Sequence, residues 1–291
     1  MMPAPNVALL ALLAGATCIA LSPIFVRVSE AGPTATAFWR VAIAVPVLWL
    51  LYLGKRTPTR RYSGRWPLLL AAGFAFAGDL AFWHSSIKFT SVANSTLLAN
   101  LASIFVTLAA WIFLRERPTR LFLGGLAAAL AGVALLVNAS LGFSPTGLLG
   151  DALGVVTAMF YAGYILAVKG LRDRGETTLY LMAVTTTLTA LFLFPVALAS
   201  GEPMLPVTAF GWWMLLGLAL VSHAAGQGLI AYALAHLPAP FSSVSLLFQP
   251  VMAALFAWAL LSEALVPLQV LGGIIVLAGI YLARRGSKAG E

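Results

Sequence analysis

Two ionisable side chains, Asp79 and His84, lie inside an otherwise apolar stretch of the sequence, with Trp83 beside them. If that stretch crosses a membrane, each ionisable group near its centre costs about 2.5–3.5 kcal/mol on insertion scales. A group kept at such a cost indicates a function. We expect these side chains to bind a polar substrate or to carry a proton, since imidazole titrates near neutral pH. The alternative is that each makes a satisfied polar contact between two helices.

Two later apolar stretches are each interrupted near the centre by two polar or helix-breaking residues, which we call a polar step. Asn100 and Ser103 form the first step, and Gln249 followed by Pro250 forms the second. A proline inside a helix frees a carbonyl group one turn back, which can bind a substrate or accommodate a bend. The two steps are therefore candidate binding positions, and a plain kink is the alternative for Pro250.

Two further pairs have helical spacing. His223 and Gln227 are four residues apart, and Tyr161 and Tyr164 are three apart, so each pair shares one face of a helix. With Trp83, the tyrosines could form the aromatic wall of a pocket, whereas packing in the protein core is the commoner role of a single aromatic side chain. For His223 and Gln227 the alternative is again a contact between helices.

None of these residues forms the pattern of an enzyme or of a cofactor site. Cys18 is the only cysteine, so the chain can hold neither an internal disulfide nor a cysteine-based metal site. The sequence contains no Gly-Lys-Ser loop that would hold the phosphates of ATP, and no nucleophile has a base at a fixed spacing. We therefore predict a protein that is not an enzyme and that uses no cofactor or metal.

The elements that must position these residues follow from the composition. Of the 291 residues, 61% are hydrophobic and 9% are charged, against about 25% charged in a soluble domain. Ten apolar segments each approach the ~20 residues that a helix needs to cross the hydrocarbon core. Since a spanning segment must satisfy its own backbone and no barrel-like alternation appears, we predict an all-α integral membrane protein. Segments 1 to 10 are 6–26, 36–53, 67–87, 92–113, 121–137, 147–168, 178–199, 210–233, 240–261 and 267–283.

The basic residues predict the orientation. Most of the 17 Lys and Arg residues lie between segments 2 and 3, 4 and 5, or 6 and 7, or after segment 10; the first of these loops includes Arg56, Arg60 and Arg61. Because basic loops stay in the cytoplasm, both termini are predicted to be cytoplasmic. The net charge of +8 then reflects these loops and not a nucleic-acid partner.

The second half of the chain repeats the first. Residues 66–137 match residues 213–284 in one register, 147 positions apart and without a gap, so that Glu116 meets Glu263. Matched Trp, Glu and Gly residues in a fixed register indicate two copies of one unit. Since five segments per copy is an odd number, the second copy must enter the membrane upside down, and such inverted repeats place a substrate site between the halves.

This repeat divides the chain. We predict a first five-helix repeat over 1–137, an outer linker over 138–146, and a second five-helix repeat with a cytoplasmic tail over 147–291. The polar residues of segment 8 are not copied: His223 corresponds to a phenylalanine in segment 3. That asymmetry suits a site shaped for one substrate.

Two features leave alternatives open. Arg40, in segment 2, could extend to the membrane surface, pair with Glu30 or face a central cavity, in that order of preference. Gly124, Ala128 and Gly132 recur at four-residue intervals in segment 5, and such small residues permit close helix packing. That packing could serve the bundle itself or a homodimer.

Short motifs at the end of each half add a family resemblance. The pattern Leu-x-Glu-Arg-x-Thr followed by Gly-Gly begins at Leu114, and a second copy, in which Ala264 replaces the usual Arg, begins at Leu261. Together with the Gln249-Pro250 step, these motifs resemble those of the drug/metabolite transporter superfamily, specifically its EamA-type ten-helix carriers. The resemblance covers nearly the whole chain, and within the family the chain resembles bacterial aromatic amino acid exporters. This resemblance implies a location in a bacterial inner membrane.

The resemblance implies secondary transport without ATP, often export of amino acids or related metabolites. It also implies a cavity lined by segments 1, 3, 4, 6, 8 and 9. The residues identified above from their chemistry fall in these segments, among them Asp79, Asn100, Tyr161, His223 and Gln249.

We therefore predict a secondary transporter that exports small metabolites, in particular aromatic or other neutral amino acids, by alternating access. A carrier for nucleosides, sugars or drugs is the alternative, and a non-transporting sensor or intramembrane enzyme is a third. The expected partners are a small-molecule substrate and the lipid bilayer, with no nucleic acid, and the protein is expected to be a monomer or a homodimer. The candidate substrate-binding residues are Asp79, Trp83, His84, Asn100, Ser103, Tyr161, Tyr164, His223, Gln227 and Gln249.

Overall fold

A computed structural model describes residues 5–55, 65–90, 92–115, 117–137, 147–262 and 264–288. Within these ranges, ten helices are long and apolar enough to cross a membrane. Each lies on the predicted segment of the same number, so the prediction of ten spanning helices is confirmed. Spans 1 to 10 are Asn6–Arg27, Pro33–Gly54, Trp66–Phe89, Asn94–Phe113, Arg120–Val137, Gly147–Asp173, Thr178–Ala199, Ala209–Ala233, Ala239–Leu260 and Pro267–Ser287.

Five of the ten spans are interrupted. The others, spans 3, 5, 6, 7 and 10, are single helices: Trp66–Phe89, Arg120–Val137, Gly147–Asp173, Thr178–Ala199 and Pro267–Lys288. Four interrupted spans consist of two α-helices each: Pro5–Ala20 and Ser22–Arg27 in span 1, Pro33–Ala42 and Ala44–Gly54 in span 2, Val92–Ala99 and Ala102–Leu114 in span 4, and Ala239–Ser245 and Phe248–Leu261 in span 9. Span 8 contains three pieces: Ala209–Gly217, a π-helical segment over Leu218–Gln227, and Gly228–Ala233.

The interruptions in spans 4 and 9 lie at equivalent positions of the repeat but have different causes. In span 9, Pro250 has no amide hydrogen to donate to the carbonyl of Leu246, and the amide of Gln249 donates to that carbonyl instead, at 2.9 Å. In span 4 there is no proline. There the side chain of Asn100 donates to the carbonyl of Thr96 at 2.7 Å and so competes with the helical backbone.

The helix ends also repeat. Arg115 is the C-cap of the last helix in span 4, and Ser262 is the C-cap of the last helix in span 9. The two caps are one repeat period apart, and both have left-handed backbone conformations, with φ of 58° and 57°. The amide of each cap bonds the carbonyl five residues earlier, Ala110 and Ala257 respectively. Two non-glycine residues adopt an uncommon conformation at matching positions, so the repeat seen in the sequence is reproduced in the backbone.

Spans 5 and 10 pack against each other in antiparallel directions. A Cβ atom on Gly125 would lie 2.6 Å from the carbonyl oxygen of Gly279, and one on Gly132 would lie 2.7 Å from that of Gly272. Gly272 and Gly279 are the repeat partners of Gly125 and Gly132, so each contact has a reciprocal one, as across a two-fold axis. An antiparallel pair related in this way is the arrangement that two inverted repeats require.

The small residues in these spans therefore pack within the bundle. The predicted small-residue face of span 5 was right at Gly132 and wrong at Gly124, because a Cβ atom on Gly124 would meet nothing within 4 Å, whereas the contact with span 10 runs through Gly125 and Gly132. In span 6, Gly154 lies against Leu98 of span 4. Close helix approach explains these glycines without a second copy of the chain.

Large apolar side chains cover the outside of the bundle. Phe113 and Leu148 are 80% and 76% exposed. Trp111 and its repeat partner Trp258 are each about half exposed near the ends of their spans. Such a surface is suited to lipid, and tryptophans near span ends match the aromatic belts found at membrane interfaces.

Polar contacts tie the loops together at each end of the bundle. At the predicted outer face, Glu202 accepts a hydrogen bond from the amide of Thr34 at 2.7 Å and forms an ion pair with Lys88. At the opposite, basic face, Arg65 pairs with Glu176. At the predicted outer face, the loop after span 7 is thus joined to the start of span 2 and to the end of span 3. At the basic face, the turn after span 6 is joined to the start of span 3.

Some predicted features lie outside the described residues. These are the motif residues Glu116 and Glu263, the loop residues Arg56, Arg60 and Arg61, and the predicted linker over 138–146.

Candidate functional site

A cavity of about 130 Å³ lies inside the bundle, among the interrupted spans. Its wall includes Pro23 of span 1, Asn100 of span 4 and Pro250 of span 9, each at or beside an interruption. Spans 1, 3, 4, 6, 8 and 9 all contribute, as the family resemblance implied, and span 2 contributes as well through Arg40. The interruptions matter because they expose polar groups where an unbroken apolar helix would expose none.

Six of the ten candidate residues line this cavity. They come from five different spans, and they combine one carboxylate, three side-chain amides and two aromatic rings. The six are Asp79, Trp83, Asn100, Tyr161, Gln227 and Gln249. The Tyr161 hydroxyl faces the side-chain amides of Gln227 and Gln249, so these three groups form one polar patch of the wall.

Two other candidates lie behind the wall and hold wall residues in position. The ring of Tyr164 is 4.6 Å from that of Phe76, which lines the cavity, and 2% of Tyr164 is exposed. The hydroxyl of Ser103 donates to the carbonyl of Asn100 at 3.0 Å. Neither side chain is part of the cavity lining.

The two candidate histidines also lie outside the lining. His84 is fully buried, with Nδ1 2.8 Å from the carbonyl oxygen of Leu80. In His223, Nε2 is 2.9 Å from the hydroxyl of Thr186, which joins spans 7 and 8. His223 thus makes the interhelical polar contact that the sequence offered as the alternative to a ligand-binding role.

Arg40 corrects the order of preference drawn from the sequence. Its side chain lines the cavity and is 4% exposed, so it neither extends to the membrane surface nor pairs with Glu30. Glu30 instead accepts hydrogen bonds from the amides of Val207 and Thr208, both at 2.8 Å. Sequence reasoning ranked the cavity last because a lone arginine in an apolar segment does not reveal which way its helix is turned.

The cavity holds one cation and one anion among the described residues that line it. Arg40 and Asp79 attract each other electrostatically, yet no ion pair within 4.0 Å joins them. Around the same wall, three buried polar atoms have no hydrogen-bond partner in the described part of the chain: Arg40 Nε, Ser22 Oγ and Gln227 Oε1. Buried polar groups are normally paired, so these three unpaired groups are available to hydrogen-bond a polar ligand in the cavity.

Sequence reasoning missed the lining residues of spans 1 and 2, as well as apolar lining residues such as Phe76 and Ala253. Ile19, Ser22 and Pro23 line the cavity together with Arg40. Pro23 was the available signal, since a proline in an apolar segment predicts an interruption, and the helix does break at Leu21.

Comparisons with known proteins agree with this architecture. The sequence profile of the EamA-like transporter family matches residues 6–138 and 148–285. An uncharacterized transporter of Archaeoglobus fulgidus is 30% identical over 89% of this chain and 91% of its own length. The pseudopaline exporter CntI of Pseudomonas aeruginosa is 29% identical over 95% of both chains.

Two further matches extend the comparison. A protein of Streptantibioticus cattleyicolor with the name "Probable terminal-alkyne amino-acid exporter" is 31% identical over 80% of this chain and 77% of its own length. One solved structure, 16% identical, superposes with a TM-score of 0.85 over 98% of this chain and 99% of its own. At that identity the likeness shows the fold alone.

Proposed function

Because the chain belongs to the EamA-like transporter family, we propose that it exports small amino acids or related metabolites by alternating access. The observation that carries this proposal is the cavity with a partly polar lining, which is formed by spans of both halves at the interruptions of spans 4 and 9. Inverted-repeat carriers bind their substrate in such a place, between the repeats and at interrupted helices. Two of the similar proteins are named as exporters, one of them of an amino acid.

The size of the cavity favours a small cargo. An engineered cavity of about 150 Å³ accommodates benzene, so a cavity of about 130 Å³ suits an amino acid better than a nucleoside. The aromatic rings of Trp83 and Tyr161 supply apolar surface, and Asn100 and Gln249 supply hydrogen-bonding groups. A pocket of mixed character of this kind orients a ligand through a few polar contacts.

Alternating access requires that each end of the bundle can open. The ion pair between Lys88 and Glu202 joins the two halves at the predicted outer face, and that between Arg65 and Glu176 joins them at the basic face. In the proposed cycle these contacts form and break in turn, while the antiparallel pair of spans 5 and 10 holds the two halves together. The halves are residues 1–137 and 147–291, joined by 138–146, in a bacterial inner membrane with both termini in the cytoplasm.

Transport is tested with the purified protein in liposomes. Counterflow of labelled L-leucine and L-phenylalanine, which are neutral amino acids of different size, is the expected result. If only nucleosides, sugars or cationic drugs exchange, the substrate class is wrong, and if no solute exchanges, transport itself is wrong.

A matched pair of variants connects the flux to the cavity. Ala253 lines the cavity, so Ala253→Trp places a large side chain in it and is expected to abolish exchange. Leu255→Trp adds the same side chain two residues later, where the leucine is 40% exposed on the outside of the bundle, and is expected to leave exchange intact. Equal loss in both variants would count against the cavity as the transport path.

A further inference from the structure

The charges of the cavity wall come from two residues. Among the described residues that line it, Arg40 is the only cation and Asp79 the only anion. Both line the same cavity inside the bundle, where the dielectric constant is lower than in bulk water and charge interactions are stronger. A ligand in this cavity therefore meets one positive and one negative group.

Arg40 lacks the partner that a buried arginine needs. No described carboxylate lies within 4.0 Å of it, its Nε has no acceptor, and it is 4% exposed. A guanidinium presents five donors in a planar fork that matches a carboxylate with two parallel hydrogen bonds. A buried charge without such a partner is strongly destabilising. The missing acceptor is thus expected to come from the ligand, and a carboxylate has the matching shape.

Asp79 is the residue of the cavity wall that can bind a positively charged group. Its carboxylate accepts hydrogen bonds and attracts a cation, and the ring of Trp83, one helical turn further along span 3, lines the same cavity. The unpaired Oε1 of Gln227 is a second acceptor nearby on the wall, and the unpaired hydroxyl of Ser22 is a further donor. The wall therefore carries acceptors for an ammonium group as well as donors for a carboxylate.

We propose that Arg40 binds the α-carboxylate and Asp79 the α-ammonium group of one substrate molecule, so that the transporter selects zwitterions and rejects analogues that lack either charge. This inference rests on the proposed export of amino acids and assigns the part of the substrate that is recognised. Because Arg40 and Asp79 do not pair with each other within 4.0 Å, a zwitterion can satisfy both without first breaking an ion pair.

The first test compares ligands that differ only in charge. L-leucine is matched with 3-methylbutylamine, which lacks the carboxylate, and with 4-methylpentanoic acid, which lacks the amine; L-phenylalanine is matched with 2-phenylethylamine and 3-phenylpropanoic acid. Removing one partner of a buried charge pair weakens binding by about 30-fold or more. Each analogue is therefore expected to inhibit counterflow of the labelled amino acid about 30-fold more weakly than the unlabelled amino acid does. Equal inhibition by all three ligands overturns the assignment.

The second test uses a crossed pattern that misfolding cannot imitate. The Arg40→Gln variant is expected to bind the amino acid no more tightly than the amine, but still more tightly than the acid. The Asp79→Asn variant is expected to bind the amino acid no more tightly than the acid, but still more tightly than the amine. Affinity is measured by competition with labelled ligand on the purified protein. Arg120→Gln, an exposed arginine at the start of span 5, is the control and is expected to keep the wild-type pattern.

The remaining outcomes separate the two proposals. If Arg40→Gln does not fold because it leaves Asp79 unbalanced, the double variant Arg40→Gln/Asp79→Asn removes both charges and is expected to bind all three ligands with similar, low affinity. A double variant that still prefers the amino acid overturns the assignment. Amino-acid exchange with full inhibition by the amine and the acid overturns the charge assignment alone, whereas no amino-acid exchange at all overturns it together with the proposed function.

Discussion

Gly125 and Gly279 contact each other backbone to backbone, with no space for a side chain on either residue. A Cβ atom on Gly125 would lie 2.6 Å from the Gly279 carbonyl oxygen, and one on Gly279 would lie 2.7 Å from the Gly125 carbonyl oxygen. Because the opposing atoms belong to the backbone, neither can turn aside as the end of a flexible side chain would. The contact between the two halves therefore depends on the absence of side chains at these positions.

The first prediction concerns this contact. Gly125→Ala is expected to lower the free energy of unfolding by about 1–3 kcal/mol, since a methyl group must push spans 5 and 10 apart. Thermal unfolding of the purified protein in detergent measures the effect. Gly124→Ala, one residue earlier in the same helix, is the control: nothing lies within 4 Å of its Cβ position, so stability is expected to stay the same or rise. Equal losses in both variants would contradict the described packing.

The second prediction concerns the left-handed cap at Ser262. With φ of 57°, this residue has a conformation that glycine adopts without strain and that a β-branched residue adopts poorly. Ser262→Gly is therefore expected to keep or raise stability, by up to about 1 kcal/mol, and Ser262→Val to lower it by about 1–2 kcal/mol. Unfolding of both variants gives the order, and a valine variant as stable as the glycine variant would argue against a left-handed cap.

The third prediction concerns the stability of the outer loops at low pH. The hydroxyl and amide of Thr208 hold the pKa of Glu30 below its ordinary value of 4.5. Burial acts to raise the pKa of Glu202, but Lys88 and the amide of Thr34 outweigh it, so that this pKa is lowered too. A carboxylate with a lowered folded-state pKa stabilises the fold above its unfolded value, and that contribution is lost as the pH falls through the folded value. The outer loops are therefore expected to loosen below about pH 4.5.

Glu202→Gln tests this acid sensitivity. The variant is expected to have a lower melting temperature than the wild type at about pH 7, with the difference shrinking toward about pH 3 as the wild-type carboxylate becomes protonated. Asp173→Asn removes a carboxylate that is 51% exposed and pairs only with Lys169 one turn away, so it is expected to change little at any pH. A pH-independent loss in Glu202→Gln would show that its charge is not what holds the loop.

The fourth prediction separates residues behind the wall from residues in it. Thr186→Val removes the hydroxyl that His223 contacts and is expected to cost about 1–3 kcal/mol of stability without changing which substrate is preferred. Gln227→Leu, in the same π-helical segment as His223 but in the lining, is expected to change substrate affinity. Unfolding and competition binding on both variants check the division, and altered ligand preference in Thr186→Val would place His223 in the site.

The sequence was sufficient to predict the ten spans and part of the cavity lining. The ten spans follow from apolar length alone, because a membrane leaves helices as the only open structure for such segments. Asp79 and Gln249 were identified because a polar group or a proline in an apolar segment is costly and therefore conspicuous. The break in span 4 was less visible, since Asn100 interrupts the helix through a side-chain hydrogen bond and not through a proline.

The direction of individual side chains could not be predicted. Arg40, His84 and His223 are all ionisable groups in apolar segments, and by composition they have equal claims to a cavity. Only Arg40 lines it, because the rotation of each helix about its axis is set by packing against its neighbours. For the same reason the predicted small-residue face of span 5 included Gly124, which meets nothing, and omitted Gly125.

The two halves share their framework but not their interior. Span 1 is broken where span 6 is one continuous helix, and span 8 has a π-helical segment where span 3 has none. If the halves were identical, the inward-open and outward-open forms would be interchanged by the two-fold rotation and would have equal free energies. Any resting preference of this transporter for one side of the bilayer must therefore originate in differences between the halves, and these unmatched helices are among them. Grafting the span 6 or span 3 pattern onto its counterpart should bring the two free energies closer together.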